Sequence, residues 1–212
     1  EYAVAKALWY FRKMDIYKRQ QEQRIWKAQP AFTFDEFEIG VLGTGVLGRS
    51  VAEKLAEFGF KVHGWSRTPK QIPGVTSFHG NDQLDEFLSH SRLLINLLPD
   101  TPQTRGILNQ SLFSKLPQSS YLINLARGSH LVDNDLLEAI DDGQIAGASL
   151  DVFATEPLPE MHPFWTHPRV DVTPHIAAFT IPSEAMKAIV ANIERIERGE
   201  APQGVVNMEL GY

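Results

Sequence analysis

From Phe37 onward the chain alternates short apolar runs, each bounded by turn residues, with longer stretches whose apolar positions recur at helical spacing. The runs predict strands over 38–42, 61–66, 93–98, 121–125, 146–152 and 170–173. The intervening stretches predict helices over 46–58, 83–89, 110–116, 134–141 and 183–198. In the last of these Met186, Ile189, Val190, Ile193 and Ile196 share one face, and Gly143 and Gly199 fit C-terminal helix stops. Parallel strands need crossover connections, so strand alternating with helix predicts an α/β fold with a doubly wound parallel sheet covered on both faces.

The first 29 residues read differently. Val4, Leu8 and Phe11 form one apolar face, then Gln20, Gln21, Glu22 and Gln23 make a polar run that ends before Pro30. This predicts a helix that packs early and continues as an exposed arm against something outside the domain. The resulting division is 1–36 for helix and arm, 37–180 for the sheet domain, and 181–212 for a C-terminal helix and tail. The sequence opens at Glu1 rather than Met, which reads as the later part of a longer enzyme.

Composition narrows the function. With 43% hydrophobic and 22% charged residues the chain is an ordinary folded domain. A net charge of −6 with no Lys/Arg block argues against nucleic acid and against a polybasic membrane contact. The absence of cysteine removes disulfides, thiol nucleophiles and Cys-based zinc sites. No apolar run approaches a membrane span, and a cytoplasmic location is expected.

The segment after the first predicted strand is Gly43-Thr44-Gly45-Val46-Leu47-Gly48. A bare GxGxxG is often an ordinary turn. Here the strand before it and the helix after it, with Val51, Leu55 and Phe58 on one face, predict a Rossmann-type dinucleotide site. Gly43 would make the tight turn, Gly45 would let the backbone approach a pyrophosphate, and Gly48 would allow close helix-to-strand packing. The phosphates would lie at a helix N-terminus, where free N–H groups and the dipole favour anions. About 20 residues on, where an acid would hold the ribose of NAD, stand Ser66, Arg67, Thr68 and Lys70. Without that acid, and with cations able to pair with a 2′-phosphate, NADPH is expected over NADH.

Three further residues follow predicted strands: Arg127, Glu156 and His175. Reduction of a 2-keto acid needs a proton donor and a fixed cation near the carbonyl oxygen. His175 can give the proton, Glu156 can favour its protonated form, and Arg127 can bind the substrate carboxylate. Each is ambiguous alone. A His beside Pro174 is often structural, Glu156 before Pro157 is a plausible loop acid, and Arg127 before Gly128 can cap a strand end. Behind a nucleotide turn their joint occurrence points to catalysis, and reduction is expected to fade as pH rises and His175 loses its proton.

The stretches Asn124-Leu125-Ala126-Arg127-Gly128, Asp151 through Leu158, and Thr173-Pro174-His175-Ile176-Ala177-Ala178 closely resemble signatures of the D-isomer-specific 2-hydroxyacid dehydrogenases. Asn96-Leu97-Leu98-Pro99, with Thr101 and Thr104 behind it, resembles that family's cofactor-side loop, and Trp65-Ser66-Arg67-Thr68 and Gly211-Tyr212 extend the likeness. The resemblance implies Arg127 as the substrate-orienting cation, Glu156 as the partner of the imidazole and His175 as proton donor. It implies Asp151 near the nicotinamide carboxamide, Val46 and Leu47 over the pyrophosphate, and Leu98, Pro99, Thr104, Leu125, Ala126 and Ala177 along the cofactor. It further implies reduction of glyoxylate and hydroxypyruvate, a homodimer joined through the early helix and arm, and a substrate domain of roughly 100 residues before Glu1. Two other readings stay open here: a dinucleotide-sensing binding module of corepressor type, and a cofactor domain inactive through truncation.

The remaining histidines, His63, His79, His90, His130, His162 and His167, form no HExxH pattern, and no metal site is expected. Asp133, Asp135, Asp141 and Asp142 read as caps or solvated charge. Phe164 and Trp165 read as packing for a Pro-rich loop.

Overall fold

Among the described residues seven strands, all parallel, lie in the order β3-β2-β1-β4-β5-β6-β7. They are β1 (Ile39–Leu42), β2 (Val62–Ser66), β3 (Val75–His79), β4 (Leu93–Asn96), β5 (Ser120–Asn124), β6 (Ile145–Leu150) and β7 (Val170–Val172). The helices are α1 (Tyr2–Phe11), α2 (Met14–Glu22), α3 (Val46–Glu57), α4 (Leu84–Ser89), α5 (Gln110–Phe113), α6 (Asp133–Asp141) and α7 (Pro182–Glu197). This computed structural model describes residues 1–205, the side chain of Glu184 excepted. The tail over 206–212, with its Gly211-Tyr212 pair, lies outside the described residues.

The sheet is doubly wound because its central strands are apolar on both faces. Ile39, Val41, Leu93, Ile95, Tyr121 and Ile123 point into a core shared with Ala7 and Tyr10 of α1 and Ala52 and Leu55 of α3. Their alternates Leu42, Leu94 and Leu122 point into a second core with Phe87 of α4, Phe113 of α5 and Leu136 and Ile140 of α6. Strand order reverses between β1 and β4, which opens a crevice at the strands' C-terminal ends where ligands bind in such sheets.

Several boundaries differ from expectation for physical reasons. The predicted single N-terminal helix is two: α1 ends at Phe11, and Lys13 takes a left-handed conformation (φ 56°) before α2 begins. In α1, Ala3, Ala7 and Tyr10 are buried, and Tyr10 stacks on Tyr121 at 4.5 Å and hydrogen-bonds Ser149. β3 was not foreseen, because an edge strand buries only Phe78 fully and so lacks a continuous apolar run. β4 and β5 stop at Asn96 and Asn124 rather than two and one residues later. Each asparagine side chain accepts a backbone N–H two residues on, Leu98 and Ala126 respectively, and so turns the chain out of the ladder.

Candidate active site

The glycine turn has the shape its spacing called for. Gly43 has φ 103°, and a Cβ there would meet the backbone of Leu97 and Leu98 at 2.8 Å, so the turns after β1 and β4 touch. A Cβ on Gly48 would lie 1.9 Å from the Gly43 carbonyl oxygen, so this glycine is required for α3 to approach β1. Gly45 is different: a Cβ would meet nothing within 4 Å. It is the N-cap of α3 with no side-chain cap, and Val46 and Leu47 beyond it are 89% and 63% exposed. The helix therefore presents uncapped N–H groups to open space, which suits an anionic ligand.

Beside it, at the end of β2, Ser66 is buried and its hydroxyl donates to the Thr68 carbonyl at 2.8 Å. Lys70 donates to the Thr44 carbonyl at 2.8 Å, which ties the two loops together. Arg67 and Thr68 are exposed at the tip. Ser66 and Lys70 thus build the loop that carries Arg67.

A buried polar network supports the next two loops. Asn96 Nδ2 donates to Asn124 Oδ1 at 3.0 Å and contacts His130 Nδ1 at 3.0 Å. Asn124 Nδ2 donates to the Arg127 carbonyl at 3.1 Å. Burial lowers the His130 pKa, against the opposing pull of Asp100 and the Pro99 carbonyl, so the ring is neutral and its Nδ1 can accept. Thr104 donates to the Pro99 carbonyl at 2.7 Å and closes that loop. The Leu98 side chain is only 8% exposed and packs in the core, so any part it plays at the cleft falls to its backbone.

Arg127 is exposed after β5, with Nη1 donating to the Ala126 carbonyl at 2.6 Å. The next residue fixes its neighbourhood. A Cβ on Gly128 would sit 1.8 Å from the Phe153 carbonyl carbon and 2.2 Å from Ala154 N, so the backbone leading to Glu156 passes directly against it. Phe153 N donates to Glu156 Oε1 at 2.9 Å, and Glu156 Oε2 meets His175 Nδ1 at 2.8 Å. Burial pushes the Glu156 pKa up, but the hydrogen bonds from His175 and Phe153 and the charges of His175 and Arg127 outweigh it and hold the carboxyl below its ordinary value. The structure therefore joins Glu156 to His175 directly and brings Arg127 beside them through Gly128.

His175 has φ 55°, unusual for a residue with a side chain and a mark of local strain. Asp151, 1% exposed, holds it there. The Asp151 carbonyl accepts from His175 N at 2.8 Å, and its carboxylate accepts from Ile176 N, Ala177 N and the Thr173 hydroxyl at 2.9, 2.8 and 2.6 Å. The Tyr2 hydroxyl meets Thr173 Oγ1 at 2.6 Å. Since the Thr173 proton goes to the carboxylate, Tyr2 must be the donor. With Nδ1 on Glu156, the imidazole has Nε2 left for a substrate.

Sequence reasoning did not single out Gly128, Thr173, Tyr2, Asn96 or Asn124 for these tasks. A signal existed for the asparagines, since an Asn closing an otherwise apolar buried strand requires hydrogen-bond partners. For Tyr2 there was none, because its partner lies 171 residues away.

A family model described as D-isomer specific 2-hydroxyacid dehydrogenase, NAD binding domain, matches residues 4–177. The glyoxylate/hydroxypyruvate reductase A of Photorhabdus laumondii is 66% identical over 212 residues, all of this chain and 68% of that protein. That of Yersinia enterocolitica is 60% identical over the same span. Among solved structures, an NADPH-dependent glyoxylate/hydroxypyruvate reductase from Sinorhizobium meliloti, in complex with NADP and sulfate, is 38% identical with a TM-score of 0.96, covering 100% of this chain and 68% of that one. A D-isomer specific 2-hydroxyacid dehydrogenase from Xanthobacter autotrophicus, in complex with NADPH and MES, is 42% identical with a TM-score of 0.95, covering 100% of this chain and 87% of that one.

Proposed function

The chain belongs to the D-isomer specific 2-hydroxyacid dehydrogenase family, and from that premise we propose that it reduces small 2-keto acids with NADPH, glyoxylate to glycolate and hydroxypyruvate to glycerate. The observation that carries the reading is the 2.8 Å contact between His175 and Glu156, at the same C-terminal end of the parallel strands as the uncapped N-terminus of α3. Relatives crystallised with NADP or NADPH support the choice of cofactor.

Gly43, Gly45 and Gly48, with Val46 and Leu47, would receive the pyrophosphate, and Arg67 and Thr68 would meet the 2′-phosphate on a loop braced by Ser66 and Lys70. Pro99, Thr104, Leu125, Ala126 and Ala177, with the Leu98 backbone, would hold the nucleotide along its length, and Asp151 would lie near the nicotinamide. When bound, NADPH supplies the hydride that adds to the keto carbon. Arg127 pairs with the substrate carboxylate and polarises the carbonyl. His175 gives the proton from Nε2 to the oxygen, and Glu156 steadies the charged ring and fixes its orientation. Hydride on carbon and proton on oxygen complete the alcohol.

The segment over 1–36 is proposed as a homodimer arm: Trp26 is 104% exposed and Ile25 47%. A cytoplasmic location is part of the proposal; separately, no helix among the described residues is long and apolar enough to cross a membrane. Residues 37–180 are proposed as the cofactor domain and α7, Pro182–Glu197, as the return toward a substrate-binding part.

The test is fluorescence titration with NADPH and NADH, followed by NADPH consumption with glyoxylate, in this chain and in one extended to its relatives' length. The reading expects tighter NADPH binding, lost selectively in Arg67→Ala, and turnover with glyoxylate in the extended protein. Equal affinity for the two nucleotides, or binding without turnover in the extended protein, would overturn it.

A further inference from the structure

At the opposite, N-terminal end of the strands, Glu38, His63 and His90 bring one oxygen and two nitrogens within 4.8 Å of one another. Glu38 immediately precedes β1, His63 is the second residue of β2, and His90 caps the C-terminus of α4. Their convergence follows from the fold. His63 pairs in register with Gly40, and a Cβ on Gly40 would meet Ser91 Oγ at 2.0 Å, so only glycine lets the end of α4 settle on β1 there. That settling lays the His90 ring against the His63 ring, 4.9 Å between centroids and 19° from parallel. Glu38 Oε2 lies 2.7 Å from His63 Nε2 and 3.5 Å from His90 Nδ1.

We propose that Glu38, His63 and His90 form a binding site for a divalent transition metal of the zinc type, separate from the reductase cleft. Bonds of 2.0–2.2 Å to a tetrahedral zinc place neighbouring ligand atoms about 3.3 Å apart. The two separations from Oε2, 2.7 and 3.5 Å, bracket that value; the near-parallel rings must turn for both lone pairs to meet one ion, and His90, at the exposed end of α4, is the one free to do so. Two imidazoles and one carboxylate suit zinc, nickel, cobalt or copper, and not calcium or magnesium, which take oxygen ligands. His63 is buried and its Nδ1 has no hydrogen-bond partner, so a proton moved to Nδ1 to free the Nε2 lone pair stays unpaired, a cost that the metal bonds must outweigh. Lys61 lies 4.0 Å from Glu38 Oε1, on the oxygen the metal does not use. The His90 side chain is 45% exposed, which leaves a path for entry and room for a water as fourth ligand.

The five residue steps from Glu38 to Gly43 span about 17 Å of extended strand, so the metal would staple β1, β2 and α4 without touching the nucleotide turn. The three residues are 25 and 27 positions apart and follow no short motif, so local pattern carries no sign of such a site.

Calorimetric titration of zinc chloride into the chain, with melting temperature read in parallel, tests the proposal independently of any reductase activity. One equivalent is expected to bind and raise the melting temperature, while magnesium and calcium do neither. His90→Ala and Glu38→Gln are each expected to weaken zinc binding by at least 10–100-fold, the loss typical even for outer-shell changes. His90 is exposed enough for its removal to leave the fold intact, shown by unchanged melting without metal. His175→Ala should leave the zinc affinity as it was. Undiminished zinc binding in His90→Ala or Glu38→Gln, loss of binding in His175→Ala instead, or no binding at all would overturn the assignment.

Discussion

Replacing Gly45 by alanine separates a ligand-binding glycine from a structural one. The residue has φ −66° and ψ −162°, outside the left-handed region and just past the edge of the broad β range, and its Cβ would have no neighbour within 4 Å. The cost to the fold is that of alanine at a helix N-cap, about 1 kcal/mol or less. The expected cost to binding is larger, because on the proposed reading the methyl group would occupy the space through which the backbone N–H groups reach the phosphates. Loss of one charge-assisted hydrogen bond is worth about 1.5–3 kcal/mol, a fall in NADPH affinity of roughly 10- to 150-fold. Gly48→Ala should behave in the opposite order, since its Cβ would sit 1.9 Å from the Gly43 carbonyl oxygen and must push α3 off β1. That overpacking costs about 1–3 kcal/mol of stability or more. Urea unfolding and NADPH fluorescence titration on both variants give the comparison. A Gly45→Ala protein that binds NADPH as tightly as the parent would refute the reasoning, whatever its stability.

Gly128→Ala should impair both stability and turnover, because the 1.8 Å approach to Phe153 forces apart the loops bearing Arg127 and Glu156; displacement near 1 Å at a reacting centre costs roughly 100-fold in rate. Full kcat in that variant would show that the two loops need not be in register. Thr173→Val breaks the link from Tyr2 to Asp151 and leaves polar groups unpaired, at about 1–3 kcal/mol; kcat should fall more than NADPH affinity, and an unchanged kcat would count against Asp151 as the support for His175. The Glu156 carboxyl is held below its ordinary value of 4.5, so its ionised form and the His175 contact persist above that pH and are lost only as pH falls through the lower, folded value. A profile of rate against pH should therefore contain no acid limb above 4.5 that disappears in Glu156→Gln.

The sheet was legible because its middle strands are apolar on both faces, a pattern that survives without knowledge of the neighbours. β3 was not, since an edge strand with one buried aromatic looks like loop. The break at Lys13 was hidden because a left-handed lysine carries no sequence mark. Among the turn residues, Gly43 and Gly48 were readable because a left-handed turn and close helix packing demand the absence of a side chain. The inward turn of Ser66 and the clasp of Lys70 on Thr44 depend on how two loops meet, which local pattern does not record. The same limit hid Gly128, whose need for glycine comes from a loop 25 residues later.

The central claim is that His175 hands a proton to a keto acid reduced by a nucleotide held on the glycine turn. Its most direct test is the rate of glyoxylate reduction by His175→Ala, measured with NADPH affinity on the same preparation and in a protein extended to its relatives' length. The account predicts a fall in kcat of about 100- to 10,000-fold with NADPH bound as tightly as before. Retention of the full rate would contradict it.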